Sequence, residues 1–360
     1  MAGTMTWAAM DVHARSTYAT SLDVMSGELT RRRFDTGAVD PVVAWLVSLP
    51  GPVRCCYEAG PTGFGLYRAA GAAGIDCQVI APSKTPRASG ERNKSDRRDS
   101  ELLLRQLMAG ALTPIAVPSA TFEAARDLAR AREQIRADLM RCRHRVSKLL
   151  LRHGRVYDRK AWTQAHARWL AAQSFEQPNT ELAFIDNLAA CDGLQTRRAA
   201  LDERLSRIAR DPEFWPLVSR FRAFRGLDTL SALILVLEVA DFTRFARAVQ
   251  LGSWLGLVPS REQSGEHDVH GSITKSGSKY ARRILVEAAW HYSRAPRIGQ
   301  TLAARHDGQP DHILQIAWRA QHRLHRIHKR MRSRNKPANV ITVACARELA
   351  CFLWAAATAR

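Results

Sequence analysis

Thr6-Trp7-Ala8-Ala9-Met10-Asp11-Val12, Thr17-Tyr18-Ala19-Thr20-Ser21-Leu22-Asp23-Val24 and Glu28-Leu29-Thr30-Arg31-Arg32-Arg33-Phe34-Asp35 decide the fold. They read as three short strands, with Ser26-Gly27 as a turn signal between the second and third. Working outward, Pro41–Ser48 reads as a helix, Val53–Tyr57 as a buried strand and Gly63–Ala72 as a short helix. Asp76–Ile80 follows as another strand. Arg92–Met108 follows as a helix with apolar Leu102, Leu103 and Leu107. A strand meander followed by alternating helices and strands predicts a mixed sheet covered by helices, an α/β domain over residues 1–118.

The hydrophobic period then changes. Leu128, Arg132, Ile135, Leu139, Cys142, Val146 and Leu149 alternate spacings of four and three, a heptad seam broken once by Arg132. Leu182–Ile208 gives a second long amphipathic pattern through Leu188, Leu201, Leu205 and Ile208. Two antiparallel helices or a dimeric coiled coil both fit this segment, residues 119–215, a linker or oligomerisation region. Pro212 and Pro216 end it, and a basic helical domain follows over 216–360.

The 360 residues carry 54 Lys+Arg against 34 Asp+Glu, a formal charge of +20, which points to a polyanion partner, nucleic acid first. The excess is uneven. Residues 1–118 hold 13 basic and 11 acidic groups, 119–215 hold 18 and 13, and 216–360 hold 23 and 10. Arg319–Lys336 alone has eight Lys/Arg and no acid, a solvated helix face or a phosphate-contacting surface. No apolar run approaches membrane-spanning length, the best being Leu230–Val239, and Met1–Met10 lacks the pattern of a secretory leader. Seven cysteines without a CxxC pair suggest neither a disulfide framework nor a zinc site.

The acids of the N-terminal segment carry the chemistry. Asp11 ends the first strand, Glu58 ends Val53-Arg54-Cys55-Cys56-Tyr57-Glu58, and Asp96 and Asp99 share a helix face at i and i+3. Converging, such acids repel one another unless Mg²⁺ or Mn²⁺ neutralises them, an arrangement suited to gripping phosphate oxygens. Each also has a plainer role: Asp11 in a turn, Glu58 paired with Arg54 or Arg68, Asp96 and Asp99 paired with Arg92, Arg97 or Arg98. In the third segment, Phe224-Arg225-Gly226-Leu227-Asp228 leads into an apolar helix, Leu233–Val239, in the manner of a helix-hairpin-helix. Ser264, in a glycine-flanked loop before a basic helix at Tyr280–Trp290, is a nucleophile candidate, or a turn residue like Ser276. His267 and His270 lie close by without triad spacing. Arg225, Lys275, Lys279, Arg282, Arg283, Arg323, Arg326, Lys329 and Arg330 are the candidate nucleic-acid contacts.

The ordered set resembles the DEDD transposases of the bacterial insertion sequence 110 family over nearly the whole chain. Ala9-Met10-Asp11-Val12-His13 is similar to its first-strand motif, Tyr57-Glu58-Ala59-Gly60-Pro61-Thr62-Gly63 to its Glu motif, and Lys94-Ser95-Asp96-Arg97-Arg98-Asp99-Ser100 to its closing helix. Leu255-Gly256-Leu257-Val258-Pro259, Ser264-Gly265 and Ile273-Thr274-Lys275-Ser276-Gly277 resemble its transposase domain. The resemblance implies a RuvC-like, ribonuclease H-type domain, a coiled-coil insertion and a helical transposase domain. It implies that Asp11, Glu58, Asp96 and Asp99 bind Mg²⁺ and that Ser264 forms a transient 5′-phosphoserine bond to DNA. It further implies a composite site shared among subunits of a tetramer, a bridge RNA that selects donor and target DNA, a Holliday-junction intermediate, and residence at the bacterial nucleoid. Arg225-Gly226-Leu227-Asp228 departs from the family's usual Pro-Gly-x-Gly hairpin. The rival readings are a hydrolytic, junction-resolving nuclease and a non-catalytic transposase-derived nucleic-acid-binding protein.

Overall fold

The computed structural model describes residues 5–85, 95–264 and 267–359, apart from the side chains of Ser264, His267 and His270. They form two compact units, Met1–Val117 and Pro118–Arg360.

In the first unit, β1 (Thr6–Val12), β2 (Thr17–Asp23), β3 (Leu29–Phe34), β4 (Val53–Glu58) and β5 (Asp76–Ile80) form a sheet ordered β3-β2-β1-β4-β5. β1 runs antiparallel to β2 and parallel to β4, which in turn runs parallel to β5. Alternation along each strand sends side chains to opposite faces. Ala8, Met10, Cys55, Tyr57, Cys77 and Val79 pack against α1 (Asp40–Ser48) and α2 (Gly65–Ala72) through Val42, Trp45, Leu46, Leu66 and Ala70. Ala9, Cys56 and Ile80 meet Leu103, Leu104 and Leu107 of α3 (Asp96–Met108) on the other face. The helix expected from Arg92 is described from Asp96; residues 92–94 lie outside the described set.

The second unit is helical. α4 (Ala120–Arg152), α5 (Gln164–Ala171) and α6 (Pro178–Ile208) form an arm. α4 and α6 run antiparallel, since Arg132 reaches Asp202, Cys142 reaches Cys191 and Arg145 reaches Asn187. Arg132, the break in the apolar seam, is buried and held by Asp202 at 2.6 Å and Glu133 at 2.7 Å. The rest of the unit comprises α7 (Trp215–Arg222), α8 (Thr229–Val239), α9 (Ala248–Trp254), α10 (Lys279–Ala289), α11 (Gln300–His306), α12 (Asp311–Ser333) and α13 (Ala338–Thr358). One core joins Ala125, Ala129 and Leu205 of the arm to α7, α8, α10, α12 and α13, so residues 119–215 and 216–360 share a unit. α8 is buried from Ala232 to Val239, which explains its apolar run from Ala232 to Leu237, and the one buried charge there, Glu238, is paired with Arg130 at 2.9 Å.

Two sequence expectations change. The segment around Ser264 is a hairpin, β6 (Pro259–Ser264) paired antiparallel with β7 (His267–Ile273), where a loop was expected. Polar residues on both strands hide the apolar alternation that marks a half-buried sheet, and an Arg261–Asp268 pair at 2.8 Å ties them instead. The expectation that no apolar stretch approaches membrane-spanning length also fails, because α13 is long and apolar enough by composition. Ile341, Cys345, Leu349 and Leu353 recur at four-residue spacing and bury in the core, with Arg347 and Glu348 interrupting the run.

Candidate functional site

The sheet alternation decides which acids meet. Asp11 lies two residues beyond Ala9, and Glu58 two beyond Cys56, so both leave the sheet on the face that α3 covers. They immediately follow Met10 and Tyr57, the last residues at which β1 and β4 pair with each other. Ser95 caps α3 by accepting the Arg98 amide, placing Asp96 and Asp99 in the first turn, where the helix dipole favours negative charge. A buried Thr20–Ser100 hydrogen bond of 2.8 Å pins this turn to β2.

One oxygen each from Asp11 and Asp96 and one His13 ring nitrogen lie within 4.8 Å of one another, as a metal-binding group requires. His13 Nε2 stands 3.2 Å from Asp11 Oδ2 and 3.7 Å from Asp96 Oδ1. Burial pushes the Asp11 carboxyl up, the His13 ring opposes that, and Asp96 and Asp99 add to it as like charges. Two carboxylates and an imidazole, with a third carboxylate close enough to be felt, suit a hard divalent cation. Glu58 is half-buried at its strand end and accepts a 2.8 Å hydrogen bond from Thr85 Oγ1. Sequence reasoning named the four acids and passed over His13, although Asp11-x-His13 at a strand end carries the signal: residues i and i+2 share a face. Beside His13 lies a cavity of about 290 Å³ lined by Val12, Tyr57, Thr62 and Gly63. The Thr62 hydroxyl oxygen is buried with no hydrogen-bond partner among the described residues.

In the second unit, the glycine-containing motifs around Ser264 form the base of its hairpin. The Lys275 amide donates to the Gly256 carbonyl at 3.1 Å and the Thr274 amide to that of Val258 at 2.9 Å. Arg282 Nη1 donates to the carbonyls of Leu255 at 2.8 Å and Ser276 at 2.7 Å, clamping both motifs. Gly256 and Gly277 have φ of +65° and +64°; a Cβ at Gly256 would strike the Ser276 backbone, and one at Gly277 the Trp254 carbonyl. Lys275 adopts φ +56°, a left-handed conformation uncommon outside glycine. Ser264 ends β6, and its side chain, with Gly265 and Lys94 of the quoted motifs, lies outside the described residues.

The candidate nucleic-acid contacts divide. Arg225 donates to the carbonyls of Arg294, Ala295 and Arg297, Arg283 pairs with Glu133 and Glu287, and Arg323 pairs with Glu348 at 2.7 Å. With Arg282, these cations hold the fold. Lys275, Arg326, Lys329 and Arg330 are exposed without ion-pair partners among the described residues, and Lys279 lies over the Tyr280 ring. Arg326, Lys329 and Arg330 lie on the outward side of α12, opposite buried Ile313, Ala317, Ala320 and Leu324.

A family model for DEDD transposases of the IS110 type matches residues 8–154, and the model of the Transposase IS116/IS110/IS902 family matches residues 218–304. A Sinorhizobium fredii (strain NBRC 101917 / NGR234) protein described as "Putative transposase y4qE" is 40% identical, covering 85% of this chain and 75% of its own. The transposase for insertion sequence element IS1533 of Leptospira borgpetersenii is 33% identical, covering 79% of this chain and 83% of its own. A probable family 20 transposase of Pseudomonas aeruginosa (strain PAO1) is 26% identical over 78% of this chain.

Proposed function

Because the chain belongs to the IS110 family of DEDD transposases, we propose that it moves an insertion sequence by metal-dependent cleavage and exchange of DNA strands. The observation that carries this reading is the meeting of Asp11, His13 and Asp96 in one group. Asp11, Glu58, Asp96 and Asp99 hold Mg²⁺ or Mn²⁺, with His13 as a further ligand or as the base that orients Asp11. A bound divalent cation supplies charge withdrawal from the scissile phosphate. The order β3-β2-β1-β4-β5, with acids at the ends of β1 and β4, supports a RuvC-like, ribonuclease H-type assignment of the first unit.

Ser264 is the nucleophile. Its Oγ bonds to phosphorus as the 3′-oxygen of the DNA departs, and the hydroxyl proton passes to that oxygen, leaving a 5′-phosphoserine and a free 3′-hydroxyl. One phosphoester bond replaces another, so religation requires no nucleotide hydrolysis. The narrow base of the hairpin, fixed by Gly256, Gly277 and Arg282, supports a role in presenting Ser264. Donor and target DNA, a bridge RNA that pairs with both, a tetramer in which subunits share sites, coiled-coil contacts through the arm, a Holliday-junction intermediate and nucleoid association complete the proposal.

Incubating wild-type protein with junction DNA and Mg²⁺ is expected to give a covalent protein–DNA adduct. Ser264→Ala is expected to lose adduct and strand exchange together, and Asp96→Asn to lose both while remaining folded. Metal-dependent cleavage that persists in Ser264→Ala, with no wild-type adduct, would identify a hydrolytic nuclease instead. Strand exchange retained in Asp11→Ala would refute the metal assignment.

A further inference from the structure

The second unit holds a cavity of about 740 Å³ that none of the proposed steps uses. Arg225, Arg294, Arg297, Arg305 and His291 line it, and the single acid among its lining residues is Asp228. That carboxylate is already engaged, since Asp228 Oδ1 accepts the Ser231 amide at 2.8 Å and caps α8. The cavity therefore presents four guanidinium groups against one committed carboxylate.

These cations differ in what holds them. Arg225 spends both terminal nitrogens on the carbonyls of Arg294, Ala295 and Arg297 at 3.0–3.2 Å, fixing the wall from which Arg294 and Arg297 project. Arg305 donates to the Leu227 carbonyl, and His306 bonds the Ala223 carbonyl at 2.9 Å, so the opposite wall is also tied down. Arg294 and Arg297 are exposed, and neither side chain has a hydrogen-bond or ion-pair partner among the described residues. Burial lowers the pKa of Arg225, Arg305 and His291, and neighbouring arginines push His291 down further. A rigid frame of partly desolvated cations with two free guanidinium forks at its mouth matches the bidentate geometry of a phosphate.

We infer that this cavity seats the phosphate and nucleoside of an unpaired nucleic-acid strand, with Arg294 and Arg297 as the phosphate ligands. Cavities of roughly 300–1,000 Å³ enclose single small ligands, which excludes a base-paired duplex from the interior and admits one or two nucleotides. Arginine planes also stack on bases without sequence preference, as single-strand sites do. The inference rests on the reading above that the protein exchanges DNA strands, because exchange is what exposes unpaired nucleotides.

The test uses the full chain, fluorescence anisotropy, a labelled single-stranded oligodeoxynucleotide and a labelled duplex of the same sequence. Arg294→Glu with Arg297→Glu changes two exposed, partnerless side chains; circular dichroism and the melting midpoint confirm that the variant is folded. Single-strand affinity is expected to fall by roughly tenfold or more per arginine, with little change for duplex. The slope of log affinity against log salt for the single strand should drop by about 1.4, the loss of two contacts. A deoxynucleoside monophosphate should compete for the wild-type single-strand signal more strongly than inorganic phosphate, because it fills the nucleoside space as well. Unchanged single-strand affinity in the double variant overturns the inference, as do equal losses on single strand and duplex, which mark an ordinary backbone contact. Wild-type protein that binds neither DNA at low salt would instead overturn the strand-exchange reading.

Discussion

Glu133 is almost wholly buried on α4 and faces three cations: Arg132 Nη1 at 2.7 Å, Arg136 Nε at 3.2 Å and Arg283 Nη2 from α10. Burial pushes its carboxyl up, but Arg283, Arg132 and Arg136 outweigh that and hold it below the usual carboxylate range. Glu133→Gln keeps the shape, leaves one acceptor oxygen and removes the charge that the three guanidinium groups share. Breaking a buried ion pair costs about 3–5 kcal/mol. Arg132 keeps Asp202 and Arg283 keeps Glu287, so the cost should fall near the low end, about 3 kcal/mol. In urea unfolding followed by tryptophan fluorescence, with a slope of about 3 kcal/mol/M, the midpoint should fall by about 1 M at pH 7. The sign of the pH effect follows from the lowered pKa. Stabilisation by Glu133 is fully present above the unfolded-state pKa and is lost as pH falls through the folded value. The gap between wild type and variant should therefore stay constant from pH 7 to 5 and narrow only below about pH 4. A midpoint shift under about 0.3 M, or a gap that widens on acidification, would refute the reasoning, because either would make the cluster energetically like a surface pair.

Asp11→Asn should be as stable as wild type in EDTA, or more so by up to about 1 kcal/mol, since it removes a half-buried charge beside Asp96 and Asp99. In Mg²⁺ at about 100 times its dissociation constant, wild type should gain about 2.7 kcal/mol and the variant little; equal gains in thermal denaturation would show that Asp11 does not hold the ion. Gly277→Ala forces a Cβ at positive φ against the Trp254 carbonyl, and should cost roughly 1–3 kcal/mol and most strand-exchange activity. A fully active Gly277→Ala would show that the hairpin base does not position the reaction. Burial first, then the Cys142 thiol, pushes the Cys191 thiol up to about 12, so iodoacetamide should label it slowly at pH 8 in native protein and rapidly in urea, read by mass spectrometry.

The strands and helices of the first unit are legible in the sequence because each has one dominant period. All three opening strands, α1 and β5 lie within one or two residues of their expected bounds. The hairpin of β6 and β7 was not legible, since Arg261, Glu262, Gln263 and Asp268 carry no apolar alternation and its cross-strand side-chain tie is the polar Arg261–Asp268 pair. The basic run is a similar case. Arg319–Lys336 contains no acid, yet Arg323 finds Glu348 on α13, a partner distant in sequence. Arg225, Arg282 and Arg283 read as phosphate contacts from their charge, whereas their donors are spent on carbonyls and carboxylates within the fold. Composition counts charges; it cannot say which of them folding has already neutralised.

By itself, the sequence determined the family and the strand-and-helix order of the first unit and singled out four acids as candidates, because those depend on residue type and on spacing along one element. Tertiary structure decided which of them meet. Face alternation in β1 and the docking of α3 bring His13 into the group with Asp11 and Asp96, and close backbone approach explains Gly256 and Gly277. It also separated the arginines that hold the protein together from Arg294 and Arg297, which line a cavity with no side-chain partner among the described residues. The physical reason is one of range. Local periodicity and residue chemistry act over a few positions, while desolvation, ion pairing and convergence depend on neighbours that only the folded chain supplies.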